Sequence, residues 1–312
     1  MQSYGATIKA IRKSKGLLLK ELVDEQLSLS LLSQFENDKT TISCERFHRL
    51  LDKLEVRFDE FQLLRTGQTL SPIQAEILDY VAAMGEISDV GELQGLAEKY
   101  RSLCLYQQQH YSLEIDHLLQ LFHFDYCMKK DIFSGLPSLA AREKYSACLS
   151  GAKQYLLNTD TWGVYELRLF ARVGISMEPS LLWRCLQVAI KKSDQFAKLP
   201  GNQDIFYETL TAIFSIFCLL KENDYAEKTF LLWRTRIAQE EHVKEAVFLP
   251  FYEGWVAWLK GEAGAEERMD ETLFWLERLG FKKQLAEYRE LKQLVLTDNF
   301  LGLLLNDPLL SV

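Results

Sequence analysis

The sequence predicts an all-α protein, and three observations support that prediction. Glycine and proline supply only 16 and 6 of the 312 residues, too few for the regular tight turns of a β-sandwich or barrel. Apolar residues recur three and four positions apart in long segments, which is typical of amphipathic helices. With 48% hydrophobic and 26% charged residues, the composition is that of a globular chain with a large core.

Neither a membrane span nor secretion is expected. The longest uncharged apolar stretch, residues 209–220, is well short of the roughly 20 residues that a spanning helix needs. Residues 1–16 carry charge but lack the apolar segment and cleavage site of a signal peptide. The six cysteines form no C-x-x-C pair, which indicates reduced thiols. We therefore expect a cytoplasmic protein.

The net charge of −8 hides an uneven distribution along the chain. Residues 1–65 hold 11 Lys and Arg against 10 Asp and Glu, whereas the remaining residues hold 25 against 34. Five of the N-terminal cations precede the first acidic residue, Glu21. A local cationic surface attracts phosphate even on an acidic protein, although five cations alone are also an ordinary solvated cluster.

Five short helices are predicted in residues 1–65. The apolar stripe of the first ends at Gly16, and Leu19 and Leu22 mark the second. The third follows the capping residues Ser28 and Ser30 and ends in a turn at Asn37 and Asp38. Ser43 caps the fourth, and Phe58, Phe61 and Leu64 mark the fifth.

The tight turn between the second and third helices indicates a helix-turn-helix, which binds double-stranded DNA. In that motif the later helix enters the major groove while the cations of the first helix lie against phosphates. The expected groove-facing residues are Ser30, Leu31, Ser33, Gln34 and Asn37. The expected backbone-contacting residues are Lys9, Arg12, Lys13, Lys15, Lys39 and Thr40. A bundle that only dimerises is the alternative.

The run from Ser28 to Phe61 resembles the N-terminal domain of the Rgg family of regulators in Gram-positive bacteria. The matching points are Leu32-Ser33 and Phe35-Glu36, Ile42-Ser43-Cys44, Leu50 to Leu54, and Phe58-Asp59-Glu60-Phe61. A W-x-x-Y-E pattern at Trp162, Tyr165 and Glu166 is similar to the family's C-terminal part. The resemblance implies a homodimeric transcription factor in quorum sensing, whose tetratricopeptide-like C-terminal domain binds a short hydrophobic signalling peptide.

Several residues depart from the family pattern in the helix expected to read DNA. Relatives often carry Gln at the position of Leu31 and Arg at the position of Gln34, so both preferred base contacts change. Leu31 remains able to touch a thymine methyl, and Gln34 to pair with adenine. Leu18 stands where a capping Ser or Thr is usual. The departures predict either a different operator or weak DNA binding.

Cys44 follows the capping Ser43 at a predicted helix start, where the helix dipole favours a thiolate. The resemblance implies a position close to the dimer axis, where two copies would crosslink on oxidation. A packed, unreactive thiol is the alternative.

From residue 71 onward, periodic apolar segments bounded by Gly, Pro, Asn and Asp predict stacked helix pairs. The predicted segments are 71–84, 88–108, 111–129, 138–157, 160–174, 178–199, 203–221, 224–240, 243–260, 264–280 and 282–297. We expect a helix-turn-helix domain in 1–65, a linker in 66–70, a helical-repeat domain for ligand binding and dimerisation in 71–298, and a C-terminal cap in 299–312.

Stacked helix pairs curve, and the first helix of each pair then lines a concave surface that suits an extended peptide. The helices starting near 111, 160, 203 and 243 are expected to form this lining. The candidate peptide-binding residues are Tyr165, Arg168, Arg172, Tyr207, Phe214, Phe251, Tyr252 and Trp255. Arg168 and Arg172 lie four apart on one helix face. Pro250 is expected to kink its helix and shape a pocket. Burial of the aromatic residues between helices is the alternative.

No catalytic, cofactor or metal site is expected. The chain has no Gly-rich phosphate loop, no H-E-x-x-H and no G-x-S-x-G motif. His123 and Cys127 share a helix face, but no further ligand is fixed by spacing. The hypotheses left open are a peptide-responsive DNA-binding regulator, the same regulator sensing a metabolite, and a helical scaffold that does not bind DNA.

Overall fold

Helices and turns account for all regular structure in the described residues, and no strand occurs among them, so the all-α prediction is confirmed. The computed structural model describes residues 2–67, 79, 83–84, 87, 89–109, 112–197 and 203–297. The predicted linker, the helix at 71–84 and the C-terminal cap lie wholly or largely outside these residues. The chain divides into two compact units, Met1–Glu76 and Ile77–Val312.

The first unit contains four short α-helices. They are α1 (Tyr4–Ser14), α2 (Leu29–Glu36), α3 (Cys44–Lys53) and α4 (Phe58–Thr66). The side chains of Ser3, Ser28 and Ser43 cap the first three by accepting a hydrogen bond from a backbone amide three residues later. Ile8, Leu32, Leu50 and Phe61 are among the residues of its apolar core.

The second predicted helix is only a 3₁₀ turn, Leu19–Leu22. Its N-cap, Leu18, has no side-chain acceptor for the first free amides. Glu21 instead accepts a hydrogen bond from the Leu18 amide at 2.6 Å. The missing cap and the short length together explain why no α-helix develops here.

A glycine allows α1 to approach α2 closely. A methyl group at Gly5 would overlap the carbonyl oxygen of Phe35. The carboxylate of Glu36 also holds the two helices together, because it accepts hydrogen bonds from Nε and Nη2 of Arg12 at 2.6 and 2.7 Å.

The second unit is an array of packed helices. They are α5 (Val90–Gln109), α6 (Leu113–Phe133), α7 (Ser138–Tyr145), α8 (Ser150–Asn158), α9 (Val164–Val173), α10 (Pro179–Ala197), α11 (Gln203–Leu219), α12 (Asn223–Glu240), α13 (Val243–Ala246), α14 (Leu249–Leu259), α15 (Ala265–Leu279) and α16 (Lys282–Leu296). Most successive helices pack against each other, and α9 also packs against α11 and α12 against α14. This pattern is that of a helical-repeat domain, as predicted.

Two predicted helices are interrupted. The segment 138–157 contains α7, a 3₁₀ turn at Ser146–Leu149, and α8. The segment 243–260 divides into α13 and α14, so the prediction of a kinked helix at Pro250 is wrong. Pro250 lies in the first turn of α14, where its missing N–H removes no helix hydrogen bond.

The core of the second unit runs through most of its helices. Trp162, Phe170, Phe214, Trp233 and Trp255 are among its fully buried members. Gly254 lets α14 approach α15, since a methyl group there would overlap the backbone of Ala265 and Met269. This dense core holds the helices of the second unit in place.

Candidate functional site

The polar side of α2 faces solvent. Ser30, Ser33, Gln34 and Asn37 are all exposed, and their spacing of three and four places them on one helix face. Leu31 is half-buried and packs against the apolar core of the first unit. The structure therefore brings four of the five expected groove-facing residues together on an open surface. The fifth, Leu31, is only partly exposed on that surface.

Hydrogen bonds fix one end of this exposed face. Nζ of Lys9 on α1 donates to Oδ1 of Asn37 at 2.7 Å, and Nδ2 of Asn37 donates to the Ser33 carbonyl at 2.7 Å. Asn37 therefore links the end of α2 to α1. Gln34 makes only a long contact, 3.5 Å, with Oγ of Ser30, so its amide is available to a ligand.

The expected backbone-contacting residues divide into two groups. Lys13, Lys15 and Lys39 are exposed, and Thr40 is half-buried. Lys9 is half-buried and bonded to Asn37. The exposed lysines give the first unit solvent-accessible cations that are able to meet phosphate.

Arg12 does not fit the expected backbone contact. Its side chain is only 11% exposed and pairs with Glu36, while Nη1 donates to the Leu17 carbonyl at 2.8 Å. The hydrogen bond to Glu36 raises the pKa of Arg12. These three hydrogen bonds are made inside the protein, so Arg12 holds α1 against α2 instead of meeting a phosphate.

Cys44 is exposed at the first position of α3, and no disulfide involves it in the structure. Oγ of Ser43 accepts the Arg46 amide at 3.3 Å and thereby fixes the start of the helix. The thiol is therefore not the packed, inaccessible group of the alternative interpretation.

In the second unit, the expected peptide-binding aromatic residues are buried. Tyr207, Phe214, Phe251, Tyr252 and Trp255 are each at most 1% exposed. Phe214 meets Tyr252 and Trp255 edge-on, with ring centroids 5.5 and 5.4 Å apart. The expectation that these residues line an accessible surface is therefore not met in this structure. The helices α11, α12 and α14 press against one another, and the aromatic rings fill the space between them.

The two arginines of α9 differ in their surroundings. Arg168 is exposed, and it has no hydrogen-bond or ion-pair partner within the described part of the chain. Arg172 is half-buried, and its Nη2 lies 3.6 Å from the carboxylate of Asp125 on α6. Arg168 is therefore the one of the two whose guanidinium group is open to a ligand.

Tyr165 belongs to a buried polar network that sequence reasoning did not find. Its hydroxyl lies 2.7 Å from Nδ1 of His117 on α6. Burial raises the pKa of Tyr165 and lowers that of His117, so the pair is neutral at physiological pH. The hydroxyl of Tyr155 donates to Glu166 at 2.6 Å, and Glu166 also accepts the Gly163 amide.

This network explains the W-x-x-Y-E pattern. The ring of Trp162 is buried against Phe170, and its Nε1 donates to the Thr159 carbonyl at 3.2 Å. The Tyr and Glu of the pattern make the bonds to α6 and α8 described above. All three residues therefore hold α9 in place, and the pattern signals packing in this structure rather than ligand contact.

A second polar group missed by the sequence analysis lies where α13 meets α11. Nζ of Lys244 pairs with Asp204 at 2.9 Å, and Glu245 beside it is 9% exposed. Burial raises the pKa of Glu245 to about 7 and also raises that of Glu208. The segment VKEA carries no local signal of this ion pair, because Asp204 lies 40 residues earlier in the chain.

Metal binding finds no support in the described residues, where no group of three or more His, Cys, Asp and Glu has a suitable arrangement. Sγ of Cys127 lies 3.8 Å from Nε2 of His123, a contact between two residues of one helix. None of the helices in the described residues is both long and apolar enough to traverse a lipid bilayer.

Several solved structures have a fold similar to that of this chain. A Listeria monocytogenes EGD-e protein designated a transcriptional regulator superposes with a TM-score of 0.75 at 18% identity, covering 95% of this chain and 98% of that one. The Streptococcus dysgalactiae SHP pheromone receptor Rgg2 gives 0.64 at 20% identity, with 92% and 98% covered. The Bacillus thuringiensis protein PlcR, solved with the peptide PapR7 and DNA, gives 0.52 at 15% identity, with 91% and 99% covered. At these identities the likeness is one of fold, that of helical-repeat regulators.

A family model matches the C-terminal part of the chain. Residues 141–290 match the model of the C-terminal domain of the HTH-type transcriptional regulator Rgg. This part of the chain is therefore similar to a domain of a family of transcriptional regulators.

Proposed function

We propose that this protein is a cytoplasmic, homodimeric regulator that binds an operator in double-stranded DNA and responds to a short apolar peptide. In this proposal residues 1–65 bind DNA, and residues 71–298 bind the peptide and dimerise. The observation that carries the DNA-binding part is the exposed face of α2, with Ser30, Ser33 and Gln34 free for base edges.

The charges around α2 support the same proposal. Lys13, Lys15 and Lys39 are exposed, and Nζ of Lys15 makes only a 3.4 Å contact with the Glu55 carbonyl. Lysines of this kind supply the salt-dependent part of DNA affinity, while Gln34 and the two serines supply the sequence-dependent part. Gln34 is suited to pair with adenine in the major groove.

The peptide-binding part is supported by α9 and by the solved proteins of similar fold. Arg168 is exposed on α9, which packs between α6 and α11. PlcR is solved with a peptide and DNA, and PrgX, with a TM-score of 0.65 and 11% identity, is solved with cCF10. We place the peptide along α9, where Arg168 is exposed, because the aromatic residues first considered are buried.

The DNA-binding part is tested by capturing genomic fragments with the purified protein and titrating the captured sequence at several salt concentrations. We expect Gln34→Ala to weaken binding to the captured sequence by about 1–3 kcal/mol at one base position. Asp59→Asn, an exposed change on α4, is the matched control. A salt slope near zero for the wild type would overturn phosphate contact by this unit.

The peptide-binding part is tested by calorimetry with a library of short apolar peptides. We expect binding by some members and weaker binding by Arg168→Ala. Arg278→Ala, on an exposed face of α15, serves as the control. If no member of a broad library produces heat, the peptide hypothesis fails while the DNA hypothesis stands, and metabolite sensing becomes the alternative.

A further inference from the structure

Exposed apolar side chains are grouped in the C-terminal half of α15 and directly after it. Phe274, Trp275 and Leu279 on α15, and Phe281 in the connection to α16, are 43–54% exposed. The rings of Phe274 and Trp275 contact each other edge-on, with centroids 5.4 Å apart. Aromatic side chains grouped on an open surface are typical of protein–protein contacts. We call these four residues the apolar patch.

The opposite side of α15 is fixed to its neighbours. Both α14 and α16 pack against this helix. Oγ of Thr272 donates to the Val247 carbonyl at 3.0 Å and accepts the Phe251 amide at 3.1 Å. The residues of α15 that are buried by this packing are Ala265, Met269, Thr272 and Leu276. The apolar patch is therefore the outer surface of a helix whose position is set by the array.

The charged residues of α15 divide into two groups. The first group forms ion pairs within the chain, namely Glu266 and Asp270 with Lys292, Glu277 with Arg289, and Arg268 with Glu262. The second group consists of Glu267, Glu271 and Arg278, together with Lys282 at the start of α16. These residues are exposed, and they have no ion-pair partner among the described residues. Their charges are therefore available to a partner.

The unpaired charges are sorted by sign along the helix. Glu267 and Glu271 precede Phe274, whereas Arg278 and Lys282 follow it. Glu267, Glu271, Phe274 and Arg278 are spaced four, three and four residues apart, so they form one stripe on the helix surface. The outer face of α15 is thus acidic at one end, aromatic in the middle and basic at the other end.

Such a face is complementary to itself when it is reversed. A two-fold axis places a surface patch against the same patch of a second copy. If two α15 helices lie antiparallel, the acidic end of each faces the basic end of the other, and the aromatic side chains meet between them. A parallel arrangement instead places like charges opposite each other, which is unfavourable. A second copy therefore matches both the charges and the apolar patch.

We propose that α15 pairs antiparallel with α15 of a second copy of this chain, through the apolar patch and the unpaired charges on either side of it. This inference rests on the homodimeric part of the proposed function and names the surface by which residues 71–298 dimerise. The peptide is placed along α9, so changes on α15 remove no residue of the proposed peptide site.

The test uses the full chain and analytical ultracentrifugation, which measures the dissociation constant of the dimer. An acidic variant carries Arg278→Glu with Lys282→Glu, and a basic variant carries Glu267→Lys with Glu271→Lys. Each variant is measured alone and in an equal mixture with the other. Circular dichroism checks that each variant is folded.

A third variant, Phe274→Ala, tests the apolar patch without any change of charge. The matched control for the basic variant is Glu143→Lys with Asp160→Lys, at exposed positions elsewhere in the second unit. This control makes the same change of net charge. It therefore separates a local effect on α15 from a general effect of charge on association.

We expect the acidic and the basic variant each to dimerise about 10- to 100-fold more weakly than the wild type, because like charges then face each other. The equal mixture should recover the wild-type dissociation constant, since each end again meets the opposite charge. This recovery also shows that both variants keep the fold. Phe274→Ala should weaken the dimer about tenfold or more, and the control should leave it unchanged.

Three results would overturn the inference. If the wild type stays monomeric at every concentration tested, the homodimer and this inference fail together, and the patch belongs to a different partner. If the dissociation constant is unchanged in both charge variants and in Phe274→Ala, the homodimer stands and its interface is another surface. If the charge variants are weakened but their mixture shows no recovery, the antiparallel pairing is wrong.

Discussion

The residues that the sequence predicts to bind ligands are exposed on α2 but buried on α11 and α14. On α2 the polar residues Ser30, Ser33 and Gln34 are exposed, whereas Phe214 on α11 and Trp255 on α14 are completely buried. A short helix in a small bundle has neighbours on one side only, so its second face stays open. A helix inside a repeat array packs on several sides, so its large apolar residues are buried between helices.

The two units also differ in how they use buried charge. The first unit buries a complete ion pair, Arg12 with Glu36. The second unit buries the guanidinium group of Arg142, whose Nε and Nη2 donate to the carbonyl oxygens of Ile175 and Met177 at 2.5 and 2.7 Å. A carboxylate compensates the buried charge in the first unit, whereas backbone carbonyl oxygens do so in the second. Both arrangements fix neighbouring segments of the chain.

The largest effect on this comparison is expected from Phe214→Ala. Loss of a fully buried Phe should lower the free energy of unfolding of the second unit by about 3–5 kcal/mol, through lost burial and an unfilled cavity. Urea unfolding followed by tryptophan fluorescence measures it, because all six tryptophans lie within residues 162–275. Ser33→Ala is the control in the open face of α2 and should leave this transition unchanged. A loss below 1 kcal/mol would contradict the assignment of Phe214 to the core.

Arg12→Ala should produce the corresponding effect in the first unit. Removal of one partner of a buried ion pair leaves the Glu36 carboxylate uncompensated and typically costs about 3–5 kcal/mol. The first unit has no tryptophan, so circular dichroism should show an early loss of helix while tryptophan fluorescence keeps its wild-type midpoint. Lys13→Ala, an exposed cation on the same helix, is the control. If Arg12→Ala reduced only DNA affinity and left the circular dichroism midpoint unchanged, the originally expected phosphate contact would be correct.

A smaller effect is expected from methyl groups placed at the two close helix contacts. Gly5→Ala and Gly254→Ala should each destabilise its own unit by about 1–3 kcal/mol, because backbone atoms must move. Gly95→Ala is the matched control on α5, where nothing lies within 4 Å of the added carbon, and it should stabilise slightly. If Gly5→Ala shifted the tryptophan transition, the two units would not unfold independently.

The smallest expected effect is that of Lys13→Ala on DNA binding. This exposed lysine should contribute to affinity almost equally for all sequences, and its loss should reduce the salt slope of the binding constant by about 1. Titrations of one captured and one unrelated duplex at several salt concentrations measure it. A change of the slope for only one duplex would indicate a base contact instead.

Local patterns predicted the first unit well. The N-capping residues Ser28 and Ser43 mark true helix starts, and the apolar spacing within each helix identifies its buried face. The absence of a side-chain cap at Leu18 was visible in the sequence, and the structure shows the 3₁₀ turn that results. These features depend on residues within one or two turns, so sequence suffices to find them.

Long-range contacts limited the prediction for the second unit. Periodicity located most of its helices, but an aromatic residue that faces a ligand and one that faces a neighbouring helix have the same spacing. Pro250 lies in the first turn of α14 because the helix is interrupted at Val247 and Phe248. No local signal marked this interruption. The Lys244–Asp204 ion pair joins residues 40 apart, and the His117–Tyr165 contact joins residues 48 apart. Such features depend on tertiary packing and carry no local pattern.

Asn37 and the Arg12–Glu36 pair hold α2 on α1. The side chains on the outer face of α2 therefore contribute little to the stability of the fold. Ser30, Ser33 and Gln34 are thus positions that can be exchanged as a set without loss of the fold. Under the proposed function, such an exchange would change the DNA sequence that is bound while the supporting helices stay the same.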